Sequence, residues 1–147
     1  MSKVIITGMA GFLASHLADK LIQNGHEVVG IDDLSGGSME NVNPKATFWQ
    51  DDCRNVQRMD YLFNKVRPQI VYHVAANAAE QLAQFSPIDV TSRNYDAFIK
   101  VLTPFIKYGG KRFIFTSSIA VYGELQTPFM ETDDPKPKDL YGISKLA

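Results

Sequence analysis

Cysteine is nearly absent. Cys53 stands alone among 147 residues, so no intramolecular disulfide can staple the chain, and a reducing, cytoplasmic setting is expected. Histidine is equally sparse: His16, His26 and His73 show no paired spacing, which gives no basis for a metal site. Charge of one sign is lacking too, with 15 Lys and Arg against 16 Asp and Glu for a net charge of −1. Neither nucleic acid nor an anionic membrane is therefore expected as a partner. No apolar run approaches the ~20 residues that span a bilayer. The N-terminus, where Lys3 precedes Val4-Ile5-Ile6 and Thr7-Gly8, has no signal-peptide pattern. Repeats, low-complexity tracts and interdomain linkers are missing as well.

What remains is an ordinary globular composition, 45% hydrophobic and 21% charged, which argues against disorder. The length fits one domain able to bury a core without disulfides. Apolar patterning alternates between two periods. Val4-Ile5-Ile6, Val28 to Ile31, Ala46 to Gln50, Ile70 to Val74 and Arg112 to Ser117 predict strands. Gly11 to Asn24 carries a helical stripe of Phe12, Leu13, Leu17, Leu21 and Ile22, with Gly25 at the C-cap position. Val56 to Lys65 predicts a second helix ended before Pro68. A third runs from near Thr91 to Tyr108, with Pro104 as its weak point. Leu34 to Pro44 predicts a polar loop, and Pro128 to Pro137 a surface loop. Strands alternating with helices imply an α/β fold, a Rossmann-type, doubly wound, mostly parallel sheet of about five strands.

The turn after the first strand is Thr7-Gly8-Met9-Ala10-Gly11-Phe12-Leu13-Ala14. Gly8 permits a tight turn, and Gly11 lets backbone approach a pyrophosphate with no Cβ in the way. The helix that follows offers free N–H groups, those of Phe12 and Leu13 among them, and the positive end of its dipole. The spacing is G-x-x-G-x-x-A, and a turn needing glycine only for geometry would look the same. Asp32 and Asp33 end the second strand about 20 residues on, where an acid accepts hydrogen bonds from an adenosine ribose. No Lys or Arg stands between Asp32 and Pro44 to welcome a 2′-phosphate, so the charge pattern favours NAD over NADP. Capping acids would also fit there. The Asp51-Asp52 pair carries the same ambiguity, and Cys53 is expected to be a small buried residue.

Ser117 and Ser118 lie at the C-terminal end of the fifth strand, where open α/β sheets place ligands. Tyr141 and Lys145 are four residues apart, on one face if helical. The ammonium would favour the phenolate, making Tyr141 a base nearer neutral pH. Ser118 would hydrogen-bond the substrate oxygen that loses and regains a proton. Tyr-x-x-x-Lys alone also arises as a solvated helix pair; the order of turn, serine pair and Tyr–Lys is what makes the set specific.

These motifs together resemble the extended short-chain dehydrogenase/reductase superfamily, and within it the NAD-dependent nucleotide-sugar epimerase/dehydratase family. The likeness rests on Thr7-Gly8-x-x-Gly11-Phe12-Leu13, Asp32-Asp33-Leu34-Ser35, His73-Val74-Ala75-Ala76, Asn94, Phe115-Thr116-Ser117-Ser118-x-x-Val121-Tyr122-Gly123, Pro128-x-x-Glu131 and Tyr141-Gly142-x-Ser144-Lys145. It covers nearly the whole chain. The resemblance implies NAD as cofactor. Gly8, Gly11, Phe12 and Leu13 would hold the pyrophosphate, and Asp32, Asp33, Leu34 and Ser35 the adenosine ribose. Asp52, through its carboxylate, and Cys53, through backbone, would border the adenine. Val74, Ala75 and Ala76, with Asn94 nearby, would line the middle of the cofactor. Lys145 would bind the nicotinamide ribose and tune Tyr141, and Ser118 and Tyr141 would address the sugar hydroxyl that is oxidised.

The implied reaction is epimerisation of a nucleotide sugar, a UDP-sugar first, through a keto intermediate. Hydride leaves a sugar carbon as Tyr141 takes the hydroxyl proton, the keto-sugar rotates, and hydride returns on the other face. Family dehydratases carry an Asp-Glu pair where this chain has Ser117 and Ser118, which favours epimerase, reductase or decarboxylase-like relatives. Family members run to about twice this length, with sugar binding mostly in the C-terminal part. Residues 1–147 are therefore expected to form the NAD-binding domain with the substrate domain absent. With strand 5 an open edge, the chain is expected to self-associate or to need a complementing C-terminal chain. Two residues follow Lys145, so the Tyr141–Lys145 helix is expected to fray. A non-catalytic NAD-binding module and a domain with relic motifs stay open on the residues alone.

Overall fold

The five strand-like stretches become β1 (Lys3–Thr7), β2 (Glu27–Asp32), β3 (Thr47–Gln50), β4 (Ile70–His73) and β5 (Arg112–Phe115). They form one sheet in the order β3-β2-β1-β4-β5, every pairing parallel. This computed structural model describes residues 1–147, apart from the side chain of Leu82. Its helices are α1 (Phe12–Gln23), α2 (Val56–Val66), α3 (Glu80–Ala83), α4 (Pro87–Thr91), α5 (Ala97–Lys107) and α6 (Leu140–Leu146). The chain divides into two compact units: residues 1–75 with 97–116, and residues 76–96 with 117–147.

The first unit holds the sheet. Its strands are apolar on both faces because both faces are covered. Ile5, Val29, Ile31 and Val71 point into one cluster with Met59, Leu62 and Phe63 of α2 and Val101 and Phe105 of α5. The alternate residues Val4, Ile6 and Val28 pack with Ala14, Ala18 and Leu21 of α1. Strand order reverses between β1 and β4. Crevices beyond the carboxyl ends of such a strand pair are where doubly wound folds take ligands. Gly25 ends α1, its N–H bonding the Ile22 carbonyl at 3.0 Å, and Asn55 caps α2 by accepting from the Arg58 amide.

The second unit gathers α3, α4, a π-turn at Ser92–Asp96, a 3₁₀ turn at Ile119–Val121 and α6. Its small core is Ala83, Val90 and Tyr141, with Ala120 and Leu140 against it.

Two expectations need correction. Helical residues begin at Pro87, not near Thr91: proline is well suited to the first turn, where its missing N–H costs nothing. The helix expected across Pro104 is there: Pro104 lies inside α5, buried with Val101 and Phe105. β4 and β5 each end earlier than expected, at His73 and Phe115. In β4 the reason is local, because the next amide, that of Val74, bonds the Thr7 hydroxyl at 3.1 Å. The stretch from Pro128 to Pro137 carries no helix or strand, as a surface loop should.

Candidate functional site

In the first unit the glycine-rich turn is held by three neighbours. Gly8 takes φ +72°, and a Cβ there would lie 2.9 Å from the backbone of Ala75; only glycine meets both demands. The Ala10 amide donates to Asp32 Oδ2 at 3.0 Å. The Ala10 carbonyl accepts from the Ser38 amide at 3.1 Å and from Asn41 Nδ2 at 2.8 Å. The loop after β2 thus docks on the turn, a contact that its polar, Gly-rich character alone did not foretell.

The turn delivers the chain into α1 with its first amides open. Gly11 is the N-cap, no side chain caps the helix, and no acid occupies its first turn. Phe12 and Leu13, 81% and 57% exposed, flank this end, with the Phe12 ring edge-on to His16 at 4.9 Å. An open helix start of this kind suits a phosphate. Beside it Asp32 is buried, and its Oδ1 accepts from the Leu34 amide at 2.8 Å. Two protein donors leave lone pairs on a carboxylate that has about four, enough for a diol. Asp33 accepts from the Ser35 amide and hydroxyl, at 2.9 and 2.5 Å. These residues fit the adenosine and pyrophosphate parts of a dinucleotide.

Thr7 was quoted in the sequence only as part of the motif, and it does more. Its hydroxyl accepts from the Val74 and Ala75 amides, both at 3.1 Å, which leaves its proton for His73 Nδ1 at 2.9 Å. Together these bonds tie β4 and the segment after it to the end of β1. Asp52 accepts from Arg54, and Asp51 from Arg58, each at 2.6 Å. Cys53 is buried in the core. Burial first, then the carboxylates of Asp52, Asp32, Asp33 and Asp51, push its thiol far above the usual range, so it is inert.

In the second unit the expectation of a frayed α6 fails. Asp139 caps the helix, accepting from the Gly142 amide at 2.7 Å. A Cβ on Gly142 would lie 2.6 Å from the Ala120 carbonyl oxygen, so glycine lets α6 press against the turn that Ser118 opens. Ser144 donates to the Tyr141 carbonyl at 2.7 Å and accepts from Asn94 Nδ2 at 2.9 Å. Asn94, 2% exposed, also bonds the Asn77 backbone in both directions, accepting its N–H at 2.7 Å and donating to its carbonyl at 3.2 Å. The π-turn is what aims Asn94 this way, and such turns often sit at functional sites. Asn77 is itself held by Asp89 at 2.9 Å. Tyr141 and Lys145 end up 9% and 6% exposed, the Lys145 Nζ 5.9 Å from the Tyr141 ring centre. Burial lowers the Lys145 ammonium to about 8. Ser118 accepts from the Ala120 amide at 3.1 Å, which leaves its own proton to donate. Among the described residues no three His, Cys, Asp or Glu side chains group to hold a metal, and no helix is long and apolar enough to cross a membrane.

Residues 4–147 match the NAD dependent epimerase/dehydratase family. The chain belongs to this family. The UDP-glucose 4-epimerase of Lacticaseibacillus casei is 32% identical over 98% of this chain and 44% of that protein. The Thermotoga maritima UDP-glucose 4-epimerase, solved with UDP-glucose, matches at TM-score 0.95 and 38% identity over 98% of this chain and 48% of that one. The Thermus thermophilus UDP-glucose 4-epimerase, solved with NAD, matches at TM-score 0.93 and 33% identity over 97% of this chain and 47% of that one. The chain spans a little under half the length of these relatives. The glycine-rich turn and Ser118, Tyr141 and Lys145 all lie within the matched residues. Sequence reasoning had singled these out, but it assigned no role to Asn77, Ser144 or Gly142. Ser144 lies inside the Tyr141–Lys145 motif at helical spacing from Tyr141, and that position was the available signal.

Proposed function

We propose that this chain binds NAD and carries the catalytic Ser, Tyr and Lys of a nucleotide-sugar 4-epimerase. The observation that carries the reading is the uncapped, acid-free start of α1 beside the buried Asp32 carboxylate. Gly8, Gly11 and the Phe12 and Leu13 amides would hold the pyrophosphate, and Asp32 with Asp33, Leu34 and Ser35 the adenosine ribose. Asp52 and Cys53 would border the adenine, while Val74, Ala75 and Ala76 would line the middle of the cofactor. A carboxylate at Asp32 repels a 2′-phosphate, which favours NAD over NADP. NAD, when bound, supplies a hydride acceptor that returns the hydride within the same turnover.

The protein's own part is proton transfer and orientation. Tyr141 takes the proton of the sugar 4-hydroxyl and later gives it back. Lys145, its Nζ 5.9 Å from the Tyr141 ring centre, would bind the nicotinamide ribose. Ser118, its lone pair engaged by the Ala120 amide, donates its proton to the same sugar oxygen. Asn94 acts at a distance, by holding α6 through Ser144. The sugar nucleotide proposed is a UDP-sugar, in keeping with the ligand of the Thermotoga relative.

Calorimetric titration with NAD and with NADP tests the cofactor part. NAD should bind the more tightly; the reverse order, or no binding of either at millimolar concentration, sinks it. Conversion of UDP-galactose to UDP-glucose tests the chemistry. Binding without turnover, even with a chain supplying the rest of a relative's length, would leave a non-catalytic NAD-binding module.

A further inference from the structure

β1 and β4 run side by side in parallel and end together, with Thr7 opposite His73 in register. Both residues are buried, at 0% and 1% exposure, and their side chains meet, Thr7 Oγ1 lying 2.9 Å from His73 Nδ1. A hydroxyl has one proton to give and two lone pairs to offer. Both lone pairs of Thr7 are committed, to the Val74 and Ala75 amides at 3.1 Å. A proton on Nδ1 would make the ring a third donor to two lone pairs, so Nδ1 accepts and the imidazole carries its proton on Nε2. The ring plane is set as well: Phe115 stacks on it at 6.0 Å and 13°, with Phe98 and Phe113 tilted against it at the same distance. A phenylalanine would fill this space and pack as well, so packing alone does not call for histidine here. What the bonds hold is a close approach, since a Cβ on Gly8 would come within 2.9 Å of the Ala75 backbone.

We infer that His73 is a positioning residue for the dinucleotide: as an obligate acceptor it orients the Thr7 hydroxyl, and through that hydroxyl it seats the Val74 and Ala75 backbone beside the glycine-rich turn. The role rests on the reading that this chain binds NAD, whose middle Val74 and Ala75 would line. Take the acceptor away and the Thr7 proton has to find another oxygen. The hydroxyl then turns, one of its lone pairs leaves an amide, and that amide loses its hydrogen bond in a buried place. The segment after β4 is released from the turn, and the wall of the proposed cofactor site shifts with it. A displacement of this kind weakens binding although His73 itself touches no ligand.

Nitrogen-15 NMR of the whole chain reads the ring directly: Nε2 should be protonated and Nδ1 bare. Calorimetry with NAD then compares two substitutions that separate acceptor from ring. His73→Phe keeps the ring and removes the acceptor, and NAD affinity should fall about tenfold, the scale of one buried hydrogen bond. His73→Asn keeps an acceptor at the δ position and loses the ring. Its affinity should stay within about threefold of the unsubstituted protein, while its urea midpoint falls further than that of His73→Phe because a cavity opens among the phenylalanines. Affinity and stability should therefore rank the two variants in opposite orders, which a purely structural histidine would not produce. Thr7→Val should cost at least as much affinity as His73→Phe, and the double variant no more than Thr7→Val alone. A proton on Nδ1, unchanged affinity in His73→Phe, or affinity that follows stability across the variants overturns the inference and leaves the NAD reading standing. Failure of the unsubstituted protein to bind NAD overturns that reading, and the inferred role with it.

Discussion

The glycine-rich turn and the Tyr141 helix serve one proposed reaction and are built from opposite materials. The turn is made of backbone: amides offered by an uncapped helix, a carbonyl gripped from two sides, and a positive φ that only glycine adopts without strain. The Tyr141 helix is held by side chains: Asn94, Ser144 and Asp139 each commit polar atoms to fixing α6. A backbone site tolerates change at most side chains but none at its special conformations. A side-chain site has the reverse sensitivity, and its failures can be graded atom by atom.

The largest effect should therefore come from Gly8→Val. A β-branched residue at φ +72° costs about 1–2 kcal/mol in backbone strain, and the collision with Ala75 costs about 1–3 more. Urea denaturation should show a loss of about 3 kcal/mol or more, with NAD binding abolished. A loss below about 1 kcal/mol would mean that the turn is not conformationally demanding. Asn94→Ala should come next. It leaves the Asn77 amide and the Ser144 hydroxyl each short of a partner, at about 2 kcal/mol for a buried network. Turnover should fall with NAD affinity held within about threefold. Equal damage to affinity and turnover would erase the contrast between the two regions.

A pH series sharpens the same contrast, because a buried ammonium lies in only one of the two. Burial holds Lys145 at about 8 against an ordinary 10.5. Between those values the unfolded chain binds the proton more readily than the folded one. Stability from this source accordingly rises with pH from about 8 to 10.5, and the penalty of burying the ammonium is present in full below that window. The unfolding midpoint of the native protein, measured against Lys145→Met, should climb across this range. A flat difference would show that Lys145 is not desolvated. Proposed activity moves the other way on the alkaline side, since the Lys145 charge proposed to hold the nicotinamide ribose is lost there.

The same division explains what the sequence disclosed. Strand periods were legible because both faces of the sheet are apolar, and α1 was legible as a helix although its stripe was misread: Phe12 and Leu13 are exposed, and the small Ala14 and Ala18 face the core with Leu21. The turn was legible because backbone sites leave glycines behind: Gly8 and Gly11 mark it directly. Tyr141 and Lys145 were visible through their spacing. Their support was not, because it runs from residue 77 through 94 to 144, and long-range hydrogen bonds between short polar side chains leave no period. The docking of Ser38 and Asn41 on the Ala10 carbonyl was hidden for the same reason, and the π-turn because one extra residue in a helical stretch leaves the apolar stripe almost unchanged. The expected fraying of α6 failed because it weighed chain position alone, when burial and capping decide whether a helix end holds.

The smallest effect tests whether the backbone region keeps its character where glycine is absent. Leu34, next to the proposed ribose site, has φ +61°. Its amide is drawn to Asp32 Oδ1 at 2.8 Å, and the hydrogen bonds of Ser35 to Asp33 hold the next residue, so two consecutive side-chain turns force the conformation. Leu34→Gly removes about 1–2 kcal/mol of left-handed strain. It adds about 0.5–1 kcal/mol through the freer unfolded chain, and the partly covered side chain is lost as well. The balance is a change within about 0.5 kcal/mol of zero, with NAD affinity kept within about threefold. Destabilisation beyond about 1 kcal/mol would mean that Leu34 is held by its packing, and a side-chain contact would then sit inside the region assigned here to backbone.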